Sequence, residues 1–392
     1  MPSFRLACLA YLCTAVPSSI LGLLWPSIRL SYHQPLAALG GLVALGVAAS
    51  VLASAVTGRL LQRLPTGIVV ALGSGLVGMA LAVEALSPHL LLFAAGLVLF
   101  GLGFGWLDAA LNAYAAHHFG PRQISWMHAS YGVGATIGPV LATAMLSQAL
   151  TWRWVYGLLA APLVLLAVVL AATGRAWQRL PIPSPVDEQA APRPRRPRAV
   201  VWSLVFIIVE DGIESGAGIW AYVYLVNGRG LNPAAAGLTV SAYWAMMFLG
   251  RIILGALAER TGASRVLAAA VGGLAVGAAV MAVPGPPFVA VLGLMTLGLA
   301  AAPIFPLFTL TTADRLGADV RSTTRTVSFQ VAASAVGGAV LPAGVGLAIN
   351  AYGGQALAVP LLGLSLLMIG VYTRLAVPTS GQAATRPEVL PR

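Results

Sequence analysis

Lysine is absent from this sequence, and all 22 basic residues are arginine. A Walker A phosphate loop needs a lysine, and a Schiff base with retinal or pyridoxal phosphate needs an amine, so these functions are excluded. The two cysteines, Cys8 and Cys13, have a spacing that matches no metal or redox motif, and the five histidines are scattered. Because the sequence has no nucleophile–base pair or metal-ligand set, we expect neither an enzyme nor a bound cofactor.

Charge is scarce as well: 8% of the 392 residues are charged, whereas a soluble domain has about 25%. Apolar residues make up 59% of the chain. This composition predicts an integral membrane protein whose main partner is the lipid bilayer. The net charge of +11 does not indicate nucleic-acid binding, because the arginines lie at the ends of apolar runs rather than on one basic face.

Twelve apolar runs predict an all-α integral membrane fold with twelve transmembrane helices. A membrane helix needs about 20 predominantly apolar residues, and charges, prolines and glycines divide the chain into runs of that length. The runs lie near 6–28, 36–57, 67–86, 90–116, 124–149, 153–173, 200–226, 234–257, 265–283, 287–311, 323–349 and 355–375.

The arginines also predict the topology. If both termini are cytoplasmic, only Arg29, Arg153 and Arg229 lie outside, and every other arginine lies inside. This excess of positive charge on one side predicts a multi-pass protein of a bacterial-type inner membrane with both termini in the cytoplasm.

A segment rich in proline and arginine divides the chain. Residues 175–199 cannot pack a core, and their composition predicts a cytoplasmic linker. The linker separates an N-terminal six-helix half, residues 1–174, from a C-terminal six-helix half, residues 200–376. Residues 377–392 are predicted to be a disordered cytoplasmic tail.

The two halves repeat a loop motif. Residues 58–67 follow the second run, and residues 255–262, which read Gly-Ala-Leu-Ala-Glu-Arg-Thr-Gly, follow the eighth. The second copy resembles the motif between helices 2 and 3 and between helices 8 and 9 of the major facilitator superfamily. The resemblance covers the whole chain, and two parallel six-helix repeats are typical of such transporters. In the first copy, Gln62 stands where the family has an acid.

Charged groups near these loops are candidates for conformational gating. An arginine and an acid there can make charge-assisted bonds to helix ends and hold one closed state. Simple topological anchoring explains Arg59 and Arg63 equally well. The gating candidates are Arg59, Arg63, Arg251, Glu259 and Arg260.

Three of the eleven acidic residues, Glu210, Asp211 and Glu214, lie together inside the seventh apolar run. A carboxylate at the centre of a membrane helix costs about 2.5–3.5 kcal/mol, so such a cluster is expected to face a polar cavity. Spacings of three and four residues bring the carboxyl groups together on the helix, where they cannot all be ionised. We therefore expect at least one of them to bind and release protons.

Residues 107–114 in the fourth run read Leu-Asp-Ala-Ala-Leu-Asn-Ala-Tyr, and they resemble the Leu-Glu-Thr-Ala-Ala-Asn-Pro-Tyr segment of the fucose:proton symporter family. Residues 212–220 and 241–251 resemble segments of that family's helices seven and eight. The resemblance implies that Asp108 is the coupling carboxylate and that a sugar or small polar solute moves with a proton or sodium gradient. Fucose carriers also have an acid in helix one, which this chain lacks, so either Asp108 acts alone or the helix-seven acids replace that partner.

Polar and aromatic side chains in these helices are candidates for binding the solute. Amides donate and accept hydrogen bonds, as hydroxyl-rich solutes require, and aromatic faces can stack on sugars, although Trp and Tyr near helix ends are often interfacial anchors. The substrate candidates are Asn112, Trp220, Tyr243, Trp244 and Gln330. His128 could relay a proton, although a lone histidine is more often a packing residue. Because this set includes no deep arginine, strongly anionic solutes are expected to be rejected.

These features favour a proton-coupled symporter of a neutral sugar or similar small polar solute, working by alternating access as a monomer. A proton-coupled exporter of drugs or metabolites is the alternative, because residues 134–139, Gly-Ala-Thr-Ile-Gly-Pro, resemble the first part of an antiporter motif. A third alternative is a carrier-like sensor that does not transport.

Overall fold

The computed structural model describes residues 2–174, 177, 197–316 and 320–375, and all of its regular elements are helices. Most of the predicted linker, 175–199, and the whole of the predicted tail, 377–392, lie outside the described residues.

In the first half, α1 (Pro2–Ser18) and α2 (Leu21–Ser31) form one span that bends by 42° between them. Pro17, just before the bend, has no backbone N–H and so cannot complete a helical hydrogen bond. The next helices are α3 (Ala38–Arg63), α4 (Thr66–Leu86), α5 (Leu90–His118), α6 (Pro121–Ser147) and α7 (Trp152–Ala172).

The second half begins with α8 (Pro197–Val223), which continues as a π-helical turn, Tyr224–Gly228. It is followed by α9 (Pro233–Thr261), α10 (Ala263–Ala282), α11 (Pro287–Ala301), α12 (Ile304–Leu310), α13 (Thr312–Leu316), α14 (Val320–Tyr352), a 3-10 turn (Gly354–Leu357) and α15 (Ala358–Leu375). The predicted run 287–311 is interrupted between α11 and α12, where Pro303 removes a backbone donor.

Most of these helices are long and apolar enough to cross a membrane. In the described parts of the chain, ten helices are long and apolar enough to cross a membrane, and the bent pair α1 and α2 makes an eleventh. The helix α8 is also long enough, with 27 residues, but it carries Glu210, Asp211 and Glu214. The predicted all-α membrane fold is therefore confirmed, and these spans agree with the predicted twelve helices.

Glycine pairs let neighbouring helices pack closely in both halves. A Cβ atom on Gly73 of α4 would lie 2.7 Å from the backbone oxygen of Gly103 in α5. In the second half, a Cβ atom on Gly277 of α10 would lie 2.9 Å from the backbone oxygen of Gly293 in α11. Small residues permit such close approach of membrane helices. The third and fourth spans of each half thus share one packing mode, as expected of a repeat.

The two halves contact each other at one end of the bundle. We call the end where α1 begins and α15 ends the terminal end, and the other end the distal end. Three pairs of helices cross between the halves: α2 packs on α8, α3 on α14, and α6 on α9. Close contacts in these pairs lie near the distal end, at Gly22 with Ile219, Gly40 with Ala343, and Gly237 with Thr143.

Towards the terminal end the same helices separate. Gly132 of α6 still touches Phe248 of α9, but Gly255, about two turns further along the same face, has nothing within 4 Å of an added Cβ atom. Gly58 of α3, about five turns beyond Gly40 on one face, is equally open. The halves therefore enclose a central cavity that is closed at the distal end and open at the terminal end.

Candidate functional site

A polar network in the first half is centred on Asp108 of α5. The Tyr11 hydroxyl of α1 donates a hydrogen bond of 2.7 Å to Oδ1 of Asp108. Asn112, one turn along α5, donates from Nδ2 to the Tyr11 oxygen at 2.8 Å and to Oδ1 of Asp108 at 3.1 Å. The three side chains thus form a closed triangle that ties α1 to α5.

The helix α6 adds His128 and Tyr131 to this network. The ring centroids of His128 and Tyr131 lie 5.5 Å and 6.0 Å from that of Tyr11. The Tyr131 hydroxyl shares a hydrogen bond of 3.0 Å with Ser18 at the end of α1. His128 is exposed and interacts electrostatically with Asp108. Its position is suited to the proton relay expected from the sequence.

Tyr11, Ser18 and Tyr131 were not predicted from the sequence. Each is a single polar residue in an apolar run, and such a residue is indistinguishable from a packing residue without its neighbours. The one available signal was the spacing of seven residues between Tyr11 and Ser18, which places both on one face of α1.

Across the cavity, Arg251 of α9 faces Glu214 of α8. Its Nη2 atom lies 3.9 Å from Oε1 of Glu214, and the two side chains are 41% and 18% exposed. The Tyr243 hydroxyl donates to the backbone oxygen of Glu214 at 3.0 Å. Arg251 was predicted to belong to the gating loops, but it lies about 15 Å inside α9, counted from Thr261. The expectation that no arginine lies deep in the protein is therefore wrong.

The other two acids of α8 have different surroundings. Asp211 points towards α14, where it interacts with the Ser334 hydroxyl and with the backbone N–H of Gly338, and it also interacts with the Ser215 hydroxyl in its own helix. Glu210 is 2% exposed, and its Oε1 atom has no hydrogen-bond partner among the described residues. Of the three clustered acids, Glu214 is the one that faces the charged group of the cavity.

The polar groups of the two halves meet at the contact between α6 and α9. His128 lies within electrostatic range of both Asp108 and Arg251. Tyr131 lies within range of Asp108 on one side and of Arg251 and Glu214 on the other. Polar side chains of both halves therefore lie within electrostatic range of one another in the cavity.

Several predicted substrate residues lie in the packed interior of the second half. Trp220 is fully buried, and its Nε1 donates to the backbone oxygen of Pro342 at 2.8 Å. Gln330 is also fully buried and accepts a bond of 3.2 Å from Thr312. Trp244 packs edge-on against Tyr243, at 5.4 Å between ring centroids. Trp220 and Gln330 thus offer no surface to a solute in this conformation, whereas Asn112 belongs to the network around Asp108.

The loop charges lie at the open terminal end. The side chains are exposed at all four of these loop positions, Arg59, Arg63, Glu259 and Arg260. Across the described part of the chain, the single salt bridge is that between Arg251 and Glu214. Among the described residues, these four loop side chains therefore form no ion pair in the conformation that is open at the terminal end. Their gating role stays a prediction.

No metal site is evident in the described ranges, where no group of three His, Cys, Asp or Glu side chains is placed to hold an ion. The groups that the cavity offers are carboxyl, hydroxyl, amide, imidazole and guanidinium groups. They suit hydrogen bonding and proton exchange.

Solved structures with similar folds are transporters. A mutant of the nucleoside transporter NupG has a TM-score of 0.75 at 13% identity, over 95% of this chain and 99% of that chain. A bacterial homolog of the human lysosomal transporter Spinster, in an inward-facing and occupied conformation, has a TM-score of 0.74 at 15% identity, over 95% and 94%. The peptide transporter POT in complex with sulfate has a TM-score of 0.74 at 15% identity, over 95% of this chain and 94% of that chain.

Two relatives are similar in sequence. The uncharacterized transporter y4wD of Sinorhizobium fredii is 26% identical over 252 residues, which are 62% of this chain and 64% of the relative. An uncharacterized MFS-type transporter of Yersinia pestis is 25% identical over 272 residues, 68% of each chain. The match thus spans slightly less than two thirds of the first relative. The family model of the Major Facilitator Superfamily matches residues 7–342, and the chain belongs to this family of membrane transporters.

Proposed function

We propose that this transporter is a secondary active symporter that moves a small, hydroxylated polar solute together with protons by alternating access. The observation that carries the proposal is the bond from Tyr11 to Asp108, in a cavity whose lining comes from both halves. An acidic residue inside a membrane protein commonly belongs to a proton relay or a substrate pathway. The proposed unit is a monomer, because the cavity lies within one chain.

Alternating access is supported by the asymmetry between the two ends. The halves touch at the distal end and separate at the terminal end, as in one of the two states of a rocking transporter. Arg29, Arg153 and Arg229 lie near the distal end, which agrees with a cytoplasmic terminal end under the positive-inside rule. We propose that the observed state is open to the cytoplasm of a bacterial-type inner membrane.

Proton coupling is proposed at Asp108, with His128 as the relay. Oδ1 of Asp108 accepts from both the Tyr11 hydroxyl and Asn112, and a proton on this oxygen would weaken it as an acceptor for both groups. Protonation of Asp108 would therefore rearrange the contact between α1 and α5. Glu214 is the second candidate for a coupling acid, because it faces the cavity and Nη2 of Arg251 approaches its Oε1 only to 3.9 Å.

A proton-coupled exporter is the second candidate function. Its specific support is the Gly-Pro tract of α6, where Gly134 packs on the backbone of Leu12 and Gly138 packs on Val16 and Ser19 of α1. The polar lining disfavours lipophilic substrates, because each buried polar group left unpaired would cost about 1–3 kcal/mol.

Proton movement in proteoliposomes tests the proposal. The purified protein is reconstituted with a pH-sensitive dye in the lumen, and solutes from a panel of sugars and hydroxylated metabolites are added outside. A symporter acidifies the lumen as the solute enters, whereas an antiporter makes it more alkaline. Absence of any solute-dependent pH change, with solute still accumulating, would overturn proton coupling.

A further inference from the structure

We propose that the solute carries a carboxylate in addition to its hydroxyl groups, and that Arg251 binds this carboxylate. This inference rests on the proposed function and narrows its substrate class. It replaces the neutral solute expected from the sequence, since that expectation depended on the absence of a deep arginine.

Arg251 occupies a costly position. It lies within α9 at about 15 Å from the end of that helix, where an arginine costs about 2.5–3.5 kcal/mol on insertion scales. Its side chain is nevertheless 41% exposed towards the open cavity. An arginine kept at such a depth and left accessible is suited to meet a group that enters from outside the protein.

The protein itself leaves the guanidinium group of Arg251 incompletely paired. A guanidinium carries five N–H donors, and its hydrogen bonds to carboxylates are about 2.7–2.9 Å long. The Nη2 atom approaches Oε1 of Glu214 only to 3.9 Å, which is too far for a hydrogen bond. Within the described ranges, no hydrogen bond joins Arg251 to an acceptor.

Three other arginines near the membrane spans have protein acceptors. Arg153 donates from Nη1 to the backbone oxygens of Ala85, at 3.1 Å, and Ser87. Arg229 donates to the Tyr224 hydroxyl at 3.0 Å. Arg315 donates from Nε to the Thr311 hydroxyl at 3.1 Å. Arg251 thus differs from these three arginines, whereas Nε of Arg29, near the distal end, also lacks a hydrogen-bond partner among the described residues.

The surroundings of Arg251 offer hydroxyl and amide partners to the rest of such a solute. Tyr131 and His128 lie within electrostatic range of Arg251, and Tyr131 reaches Ser18 by a hydrogen bond of 3.0 Å. Hydroxyls both donate and accept, so these groups and Asn112 can bind a polyhydroxylated body while Arg251 holds the carboxylate. The planar fork of arginine fits a carboxylate with two parallel bonds.

A carboxylate also agrees with proton coupling. A carboxylate moved alone would carry its negative charge across the membrane. Moved with one proton, it crosses without net charge, and the proton can be carried at Asp108 or Glu214. The guanidinium offsets the anion inside the cavity, where an unpaired charge would be strongly disfavoured.

Thermal denaturation of the purified protein with matched probes tests this inference. The probes are hydroxylated monocarboxylates that include gluconate, each compared with its alcohol and its amine, such as sorbitol and glucamine. Ligands that bind the folded state raise the melting temperature by mass action. We expect acids to raise it, and their alcohols and amines to leave it unchanged.

The matched variants are Arg251→Gln and, as a control, Arg265→Gln. Arg265 is an exposed residue at the terminal end whose guanidinium donates to the backbone oxygen of Thr261. We expect the apparent Kd for the acids to rise by about tenfold or more in R251Q and to be unchanged in R265Q. If R251Q does not fold, R251K provides the test, because it keeps the charge but loses the bidentate fork and should weaken the acids selectively.

Each remaining outcome overturns the inference. Stabilisation by alcohols as well as acids, retained in R251Q, would refute carboxylate recognition and leave the proposed symport of a polar solute standing. Stabilisation only by lipophilic cations would refute both the inference and the proposed function. Failure of every acid in the panel to stabilise the wild-type protein would also refute the inference.

Discussion

The Tyr11 hydroxyl donates a hydrogen bond of 2.7 Å to Asp108 and accepts one of 2.8 Å from Asn112. It therefore connects the first span to the fourth through a single oxygen atom. A change in the charge of Asp108 alters the acceptor that is available to the Tyr11 hydroxyl. Because Tyr11 belongs to α1, this change also affects the packing of α1. This relationship links proton binding at Asp108 directly to the geometry of α1 and α5.

Replacing Asp108 with asparagine should abolish solute accumulation driven by a proton gradient. The amide keeps the size and shape of the side chain but cannot take up or release a proton. Exchange of labelled for unlabelled solute without a gradient should continue, because it requires only the movement of the halves. Uptake and exchange are measured in the same proteoliposomes. Accumulation at the native rate in D108N would move the coupling site elsewhere, with Glu214 next.

Replacing Tyr11 with phenylalanine should slow proton-driven uptake by about tenfold or more. The variant loses a hydrogen bond to a charged group, which contributes about 1.5–3 kcal/mol, and it also leaves Asn112 without one of its acceptors. The control is Tyr156→Phe, because Tyr156 is a fully buried tyrosine in the same half. Initial uptake rates are compared at equal protein. Equal rates in the two variants would show that the Tyr11 hydroxyl has no part in coupling.

Replacing Asn112 with alanine should weaken solute binding and, because Asn112 also donates to Asp108, should slow proton-driven uptake as well. Asn112 contributes two amide donors beside the cavity, and loss of a typical hydrogen bond costs about 0.5–1.5 kcal/mol. The control is Glu84→Gln in α4, since Glu84 is 1% exposed and lies outside the polar lining. Binding is measured by thermal shift with the solute found active in the transport assay. An unchanged Kd in N112A would remove Asn112 from the site.

Helix positions were largely predictable because local signals agree with the apolar runs. The ninth helix begins at Pro233, where Asn232 caps the first turn by accepting from the backbone N–H of Ala235. It ends before Gly262, whose φ of 99° favours glycine. The bend of the first span and the break before α12 were not predicted, since hydropathy does not report where a proline opens a helix.

The site was only partly predictable, because facing directions depend on partners that lie far away in sequence. Asp108 and Asn112 share one helix, so their proximity follows from the spacing alone. Trp220 was expected to stack on the solute, but Pro342 of another helix accepts its N–H and holds it in the interior. Arg251 was assigned to a loop because it precedes the loop motif, although its helix continues for about three further turns.

Membrane topology can be tested by labelling single cysteines in intact cells. A cysteine at Pro35, in the exposed distal turn between α2 and α3, should react with an impermeant maleimide. A cysteine at Arg63, at the terminal end of α3, should react only after the membrane is permeabilised. The reason is the positive-inside rule, which places the arginine-rich end in the cytoplasm. The reverse pattern of labelling would invert the proposed orientation. The native Cys8 and Cys13 are first replaced by serine.

A larger side chain at the distal contact between the halves should prevent the conformation in which the distal end is closed. Gly22 of α2 packs so closely on the backbone of Ile219 that a side chain at this position would overlap its carbonyl group. We expect Gly22→Val to hold the distal ends of the halves apart and to stop transport. The control is Gly272→Val in α10, because nothing lies within 4 Å of an added Cβ atom at Gly272.

Spin labels on distal residues of the two halves report the result. Pro35 in the first half and Tyr352 in the second are both exposed, so labels there should not disturb packing. In G22V the distance distribution between the labels should shift to longer values, whereas in G272V it should match that of the parent protein. Transport should be lost only in G22V. A G22V variant that folds, transports and keeps the short distance would mean that the halves do not need this contact to close the distal end.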